Sequence, residues 1–277
     1  MKNDMRTPNY TDTLILGASA FGCGFAVTCR DCMVIEPLLL VGSEFAATYR
    51  CTPLRISRGL SNEGQKLIEE MLERDILTPD GDLSVSPVSG LLANALLEAN
   101  VPVLLMSRVN NVVRRDDEWR VSYFGMNGWG HIDCRRVLDT TALGMGFKTG
   151  NVPCATKALC AMLCADALPN VKDVAGFSRG ELSVSKGRFA DERILKLSVS
   201  RDMSYTDARL KMLQQWETLG DSAFAGWRIA AIASMFDYSY EKPIDMTVDK
   251  GFRWIPSSSY ATVIDAFEGG VTCGTLL

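Results

Sequence analysis

The residues best suited to chemistry lie near the start of the chain: Gly17, Ser19 and Gly22 within TLILGASAFG (13–22), followed by Glu36 at the end of MVIE (33–36). An apolar strand, a glycine turn, a short helix and a second apolar strand ending in an acid is the order that a dinucleotide-binding βαβ unit requires. Gly17 lets the backbone turn sharply out of the strand, and Gly22 lets the helix pack close to the sheet. The helix start then offers unpaired N–H groups and a positive dipole end to a diphosphate, with Glu36 placed to accept hydrogen bonds from a ribose diol. Ser19 stands where that fingerprint has its middle glycine, so the closest backbone approach to a phosphate carries a hydroxymethyl group that either clashes or donates a hydrogen bond. The spacing from Gly17 to Glu36 is about one helical turn shorter than usual, which predicts a truncated first helix. The alternative is a strand–helix junction that uses glycine and serine without any ligand.

Other candidate groups point away from intrinsic acid–base or metal chemistry. The single histidine, His131, falls in a predicted strand with no nucleophile elbow and no second histidine at ligand spacing. Cys29 and Cys32 form a C-x-x-C at the end of the first helix, without the second pair or histidine that a metal site needs. Most of the nine cysteines sit in apolar runs (Cys23, Cys29, Cys160, Cys164), where cysteine behaves as a small hydrophobe in a reducing compartment. Cys154, Cys160 and Cys164 lie on or beside a predicted helix, Thr156 to Ala167, and read as core. Chemistry is therefore expected to belong to a cofactor.

Bulk properties bound the rest. A chain of 277 residues, 47% hydrophobic and 22% charged, can bury a sizeable core as one large domain or one with an insertion. A net charge of −4, with no basic cluster interleaved with aromatics, argues against a nucleic-acid partner. The start of the chain has no apolar leader and no segment is long and apolar enough to span a bilayer, so a cytoplasmic protein with no membrane partner is expected. Association with further copies of the chain is left open.

The elements that must position these residues follow from pattern. Asn62 to Arg74 has helical periodicity, with Leu67, Ile68, Met71 and Leu72 on one face. Ser86 can cap a helix that starts at Pro87 and runs through Ala99. Val101 to Met106 reads as a strand and Arg108 to Arg114 as another. Trp119 to Phe124, a turn at Gly125 to Gly128, and Trp129 to Cys134 continue as a meander, and Arg135 to Ala142 as a final strand. Further on, Glu181 to Ser185 and Arg193 to Ser200 alternate as strands. Ser204, with Asp207 three positions on, opens a helix expected to stop at Gly220, and a second helix is predicted from Ala223 to Met235.

Taken together, Gly17, Ser19 and Gly22, Glu36, the Gly42 to Thr48 segment, the meander and the run from Asp139 to Ala142 resemble the FAD-dependent oxidoreductases with a glutathione-reductase-type Rossmann domain. The resemblance covers the first half of the chain well and the second half weakly. It implies an α/β fold: a FAD/NAD(P)-binding Rossmann-like parallel sheet with a three-stranded β-meander, formed by residues 1–165 and 252–277, plus a smaller inserted α+β substrate domain, residues 166–251. It also implies bound FAD and a small-molecule substrate that exchanges a hydride or electron pair with the flavin. Its cofactor-binding positions map to Gly17, Ala18, Ser19, Ala20, Phe21 and Gly22 in the turn, and to Glu36 and Pro37 after the second strand. The remainder map to Gly42, Ser43 and Thr48, to Val109, and to Thr140, Thr141 and Ala142. The family's late Gly-Asp, which follows a strand and contacts the ribityl and pyrophosphate region, has no counterpart near the C-terminus, although residues 260–277 resemble the family's returning helix.

Arg50 and Arg55 are candidates to hold an acidic substrate or a phosphate, against the commoner role of exposed loop arginines. Cys51 between them is either an activated thiolate or an idle buried thiol. Metal ligands are not predicted. Besides the FAD-dependent oxidoreductase, two readings stand: an NAD-dependent enzyme on the same fold, and a non-catalytic relative that keeps the fold for binding.

Overall fold

A computed structural model describes residues 9–54, 59–147, 156–166 and 171–275. The chain opens with strand β1 (Tyr10–Leu16), helix α1 (Ala20–Thr28) and strand β2 (Cys32–Ile35), the βαβ order expected from the sequence, with a first helix of only nine residues. Three helices follow: α2 (Ser43–Ala46), α3 (Asn62–Glu73) and α4 (Val88–Glu98). On α3 the predicted face buries Leu67, Ile68 and Met71, while Leu72 lies at its exposed edge. Ser86 is not the cap of α4; Pro87 takes the N-cap position without a side-chain bond. The strand predicted over 101–106 contracts to β3 (Val103–Leu104), just after Pro102, which has no N–H to give to a ladder.

The meander is β4 (Arg108–Arg115), β5 (Glu118–Gly125) and β6 (Gly128–Asp139). Sequence patterning divides residues 129–142 into two strands, but β6 is continuous for 12 residues. Its first half pairs antiparallel with β5, and its second half pairs parallel with β1, from Tyr10 opposite Asp133 to Leu16 opposite Asp139. One strand thereby serves both the meander and the parallel core.

The chain then builds a second, antiparallel sheet from β7 (Thr156–Ala165), β8 (Ser178–Arg179), β9 (Leu182–Lys186) and β10 (Glu192–Val199). Helix α5 (Tyr205–Phe224) follows, and β11 (Trp227–Ile232) and β12 (Asp237–Ser239) complete the sheet, both against β7. Two predicted helices are strands here. Residues 156–165 are rich in alanine and leucine, but an unbroken apolar run carries no period, and the centre of a sheet covered on both sides suits it equally well. Its residues 157–161 are all buried, between β10 on one edge and β11 and β12 on the other. Residues 227–232 are likewise drawn into the sheet, with a bulge between Ile229 and Ala231. The helix opened by Ser204 is capped as expected, Asp207 N donating to Ser204 Oγ at 3.2 Å. It runs past Gly220 to Phe224, and Gly226, at φ +82°, turns the chain into β11.

The chain returns to the first sheet at β13 (Met246–Asp249) and β14 (Phe252–Trp254). A 3-10 turn, Ser257–Ser259, then leads into α6 (Val263–Thr275). The first sheet runs β13-β14-β6-β1-β2-β3, parallel except at β13 and in the meander. The second sheet therefore begins at residue 156, within the stretch expected to belong to the first unit, and the first sheet resumes at residue 246. Helices α1, α3, α4 and α6 cover one face of the first sheet around Phe21, Phe25, Met71 and Phe267. The meander covers the other around Leu14, Leu16, Trp119 and Phe252. Helix α5 closes the second sheet over Leu159, Leu195 and Leu197.

Helices α1 and α6 meet backbone to backbone. A Cβ on Gly270 would run into the Phe21 carbonyl, and one on Gly24 into the Phe267 carbonyl. Gly270→Ala is therefore expected to destabilise the protein by roughly 2 kcal/mol or more in denaturant unfolding. Gly90→Ala, on the exposed face of α4 with open space around it, is expected to gain up to about 1 kcal/mol from helix propensity. Equal effects of the two substitutions would mean that the helix pair is not packed this closely.

Candidate functional site

The predicted turn forms at the C-terminal ends of β1, β2 and β6, the place where open α/β sheets bind ligands. Gly17 leaves β1 at φ +96°. A Cβ at Gly22 would stand 2.5 Å from the Gly17 carbonyl and 3.1 Å from Thr140 Oγ1, so helix and strand approach as closely as the glycines allow. Thr140 knots the turn: its hydroxyl donates to Gly17 O at 2.9 Å and accepts from Ser19 Oγ at 2.7 Å. Ser19 is the N-cap of α1, accepting from Gly22 N at 3.0 Å. Its hydroxyl therefore faces inward, and the extra group relative to glycine serves the fold.

An α-helix leaves its first N–H groups without intrahelical partners, and here three of them have acceptors on side chains. Ala20 N donates to Glu44 Oε1 at 2.8 Å, Phe21 N to Ser257 Oγ at 3.2 Å, and Gly22 N to Ser19 as described. Ser257 Oγ in turn donates to Glu44 Oε1 at 2.6 Å. One step earlier, Ala18 N donates to Glu36 Oε2 at 2.7 Å, and Leu38 N to Glu36 Oε1 at 2.9 Å. Burial pushes the Glu36 carboxyl up to about 7, against the pull of those two N–H groups, and the nearby Glu44 adds to the rise. Glu44 is half-buried; desolvation raises its pKa, while Ser257, Ala20 N–H and the Arg50 charge oppose the rise.

The remaining predicted positions surround this turn or support it. Gly42 holds φ +66° before α2 and donates its N–H to Ala18 O at 2.7 Å. Ser43 is buried at the start of α2, and Thr48 Oγ1 donates to Glu44 O at 2.8 Å. Pro37 is half-buried beside Glu36. Buried Asp139 orders the turn after β6 by accepting from Thr141 N, Thr141 Oγ1 and Gly146 N, and its pKa is raised by burial despite them. The carbonyls of Thr141 and Ala142 accept from Trp254 Nε1 and the Tyr240 hydroxyl. Val109 is not at the turn in any described bond; it packs on the meander-side core.

The two arginines separate. Arg55 lies outside the described residues. Arg50 is buried and its guanidinium is fully committed, to Asp237 and to the carbonyls of Tyr238, Ser258 and Tyr260. It is a strut between α2, β12 and the 257–259 turn rather than an open anion clamp. Arg50 and Lys196 hold the Asp237 carboxyl below its ordinary range, although burial alone would raise it. Burial pushes the Cys51 thiol up to about 12, which is the idle reading of that residue. The Cys29 thiol is lowered to about 6, chiefly by its hydrogen bond with Cys32. His131 is exposed on β6. Among the described residues no cluster of histidine, cysteine, aspartate and glutamate is set to hold a metal, and no helix is long and apolar enough to cross a membrane.

Sequence reading missed Glu44 and Ser257. The signal for Ser257 was the strand–turn–helix order of residues 252–275, a second instance of the β1–α1 pattern, masked because a Gly-Asp dipeptide was expected there. The signal for Glu44 was its isolation, the single acid in an otherwise apolar stretch from Pro37 to Ala47.

Solved structures share this architecture. Glycine oxidase from Geobacillus kaustophilus superposes with a TM-score of 0.62 at 11% identity, covering 97% of this chain and 94% of that one. For p-nitrophenol 4-monooxygenase from Pseudomonas putida the values are 0.58 and 12%, over 97% and 78% of the two chains. For aklavinone-11 hydroxylase, solved as a ternary complex with FAD and aklavinone, they are 0.54 and 12%, over 98% and 62%. The chain has the FAD-binding fold of flavin-dependent monooxygenases and oxidases. The likeness is to these enzymes broadly and not to the glutathione-reductase type in particular, and the chain spans about three fifths of the length of several of the solved structures it matches. No protein-family model and no curated protein matches the sequence.

This fold would place a dinucleotide's ribose at Glu36 and its diphosphate at the start of α1. The first position fits, since Glu36 ends β2 beside the turn. The second does not: the N–H groups of Ala18, Ala20, Phe21 and Gly22 are all taken, and two carboxylates flank the turn.

The raised Glu36 pKa has a measurable consequence. Because the folded-state value of about 7 lies above the ordinary 4.5, folding favours the protonated acid. The stability it contributes is complete below about pH 4.5 and is lost as pH rises toward 7, at roughly 1.4 kcal/mol per pH unit. The stability difference between wild type and Glu36→Gln is expected to move against wild type across that window and to be flat outside it. A pH-independent difference would show that Glu36 is not buried in this way.

Proposed function

We propose that the chain binds a small polar molecule in the cleft between its two sheets, on a fold shared with flavin-dependent monooxygenases and oxidases. The cleft is about 480 Å³ in volume and is lined by Arg50, Lys196, Asp237, Tyr240, Lys242, Ser258 and Tyr260. One observation carries the reading: Ser258, 2% exposed, has a buried hydroxyl with no hydrogen-bond partner among the described residues, on the wall of this cleft. A buried hydroxyl left unpaired costs about 1–3 kcal/mol, and a polar ligand would satisfy it if the side chain turned toward the cleft. The Arg50–Asp237–Lys196 network holds this wall in place, joining the first sheet's last crossover to the second sheet.

A second reading is an FAD-dependent oxidoreductase acting on a small molecule held against the second sheet. It is favoured by the βαβ unit with Glu36 at its ribose position and by the fold of the neighbours, and opposed by the carboxylate already seated at the start of α1. NAD in the same place would make the same demand on the turn.

Ser258→Ala is expected to stabilise ligand-free protein by about 1 kcal/mol, since it removes an unpaired group, and to abolish retention of any small molecule seen by native mass spectrometry of protein as purified. Loss of stability in ligand-free protein would show that the hydroxyl is satisfied within the fold. For the second reading, the purified protein would show flavin absorption bands that bleach on dithionite, and a colourless protein whose melting temperature ignores added FAD would reject it.

A further inference from the structure

The carboxylate of Glu44 holds the place that the dinucleotide fold gives to a phosphate. It accepts from Ala20 N at the first turn of α1 and from Ser257 Oγ in the turn after β14, so it bridges the two strand–helix crossovers that flank β6 and β1. Ser257 adds the second bond, accepting from Phe21 N. The anion at this helix start is therefore supplied by the chain itself, and the dipole end that would attract a phosphate is neutralised from within.

We infer that Glu44 is a built-in occupant of the diphosphate position, so that the protein folds with its dinucleotide cradle already closed and takes neither a flavin nor a nicotinamide dinucleotide there. Three features agree. The cap Ser19 turns its hydroxyl to Thr140 and Gly22 instead of outward. Ser257 opens the 3-10 turn after β14, where it completes the contact to Glu44. The guanidinium nearest to Glu44 in charge, Arg50, is committed to Asp237 and three carbonyls, so the turn has no described free cation with which to hold two phosphates. The inference rests on the position of the turn and not on the cleft. Either stands if the other fails.

Glu44→Ala removes the internal anion and exposes Ala20 N–H and the Ser257 hydroxyl. Inorganic diphosphate is expected to raise the melting temperature of this variant in a saturable way and to leave wild type unmoved. FAD, followed by quenching of its fluorescence, is expected to bind the variant at least tenfold more tightly than wild type. Glu44→Gln keeps an acceptor oxygen but loses the charge, and is expected to bind both probes more weakly than Glu44→Ala and more tightly than wild type. A folded Glu44→Ala that ignores diphosphate would overturn the inference. If that variant does not fold, wild type decides alone: saturable binding of FAD or diphosphate by the unmodified chain overturns the inference, and absence of both upholds it.

Discussion

A carboxylate on a four-residue helix, Glu44 on α2, ties the start of α1 to the turn that opens α6. The tie is needed because of how closely the surrounding backbone is packed. Helix α1 lies against β1 and the turn after β6 at glycine distance and against α6 at glycine distance, so its first turn is closed in by backbone. A helix start confined in this way must find its acceptors inside the protein. Ser19, Ser257 and Glu44 supply them, and each comes from a different part of the chain. The local cap, the long-range serine and the acid together tie the start of α1 to the turn before α6, above the helical core around Phe21, Phe25 and Phe267.

Much of this frame can be read from the sequence, for specific reasons. Residues 13–36 alternate between apolar runs and small residues in an order with few physical solutions, and residues 62–73 carry a clean helical period; both fold as read. Residues 119–134 combine alternation with a Gly-Met-Asn-Gly turn, which leaves little besides a hairpin. Reading fails where local pattern is silent. The run at 156–165 is apolar without a period, and only the neighbouring strands make it β. The continuity of β6 is invisible for a related reason: its residues change partners halfway, from β5 to β1, while its pattern changes from half-exposed to buried.

The candidate site divides in the same way. Glu36 and the glycines are legible because strand ends and positive φ angles leave local marks. Glu44 and Ser257 are 213 positions apart, and nothing in either neighbourhood names the other. Arg50 illustrates the converse error. An arginine after a glycine segment invites a role in holding an anion, but its five N–H groups are spent on Asp237 and on carbonyls from β12 and the 257–259 turn. It joins the two sheets, and in doing so shapes the wall on which Ser258 is left unpaired.

Charge sets the final constraint on what the turn can hold. Glu36 and Glu44 face the same few residues, desolvation raises both pKa values, and Glu44 contributes to the rise at Glu36. A diphosphate at the start of α1 would bring further negative charge beside them. The donors that would offset this charge in a dinucleotide site are the N–H groups of the turn, and four of those are already bonded to Glu36, Glu44, Ser257 and Ser19. An incoming phosphate would have to displace an acceptor that is covalently tethered, and so present at high effective concentration, in exchange for bonds of the same kind. With repulsion added and the Ser19 N–H the one turn donor not already bonded among the described residues, the exchange runs toward the tethered carboxylate.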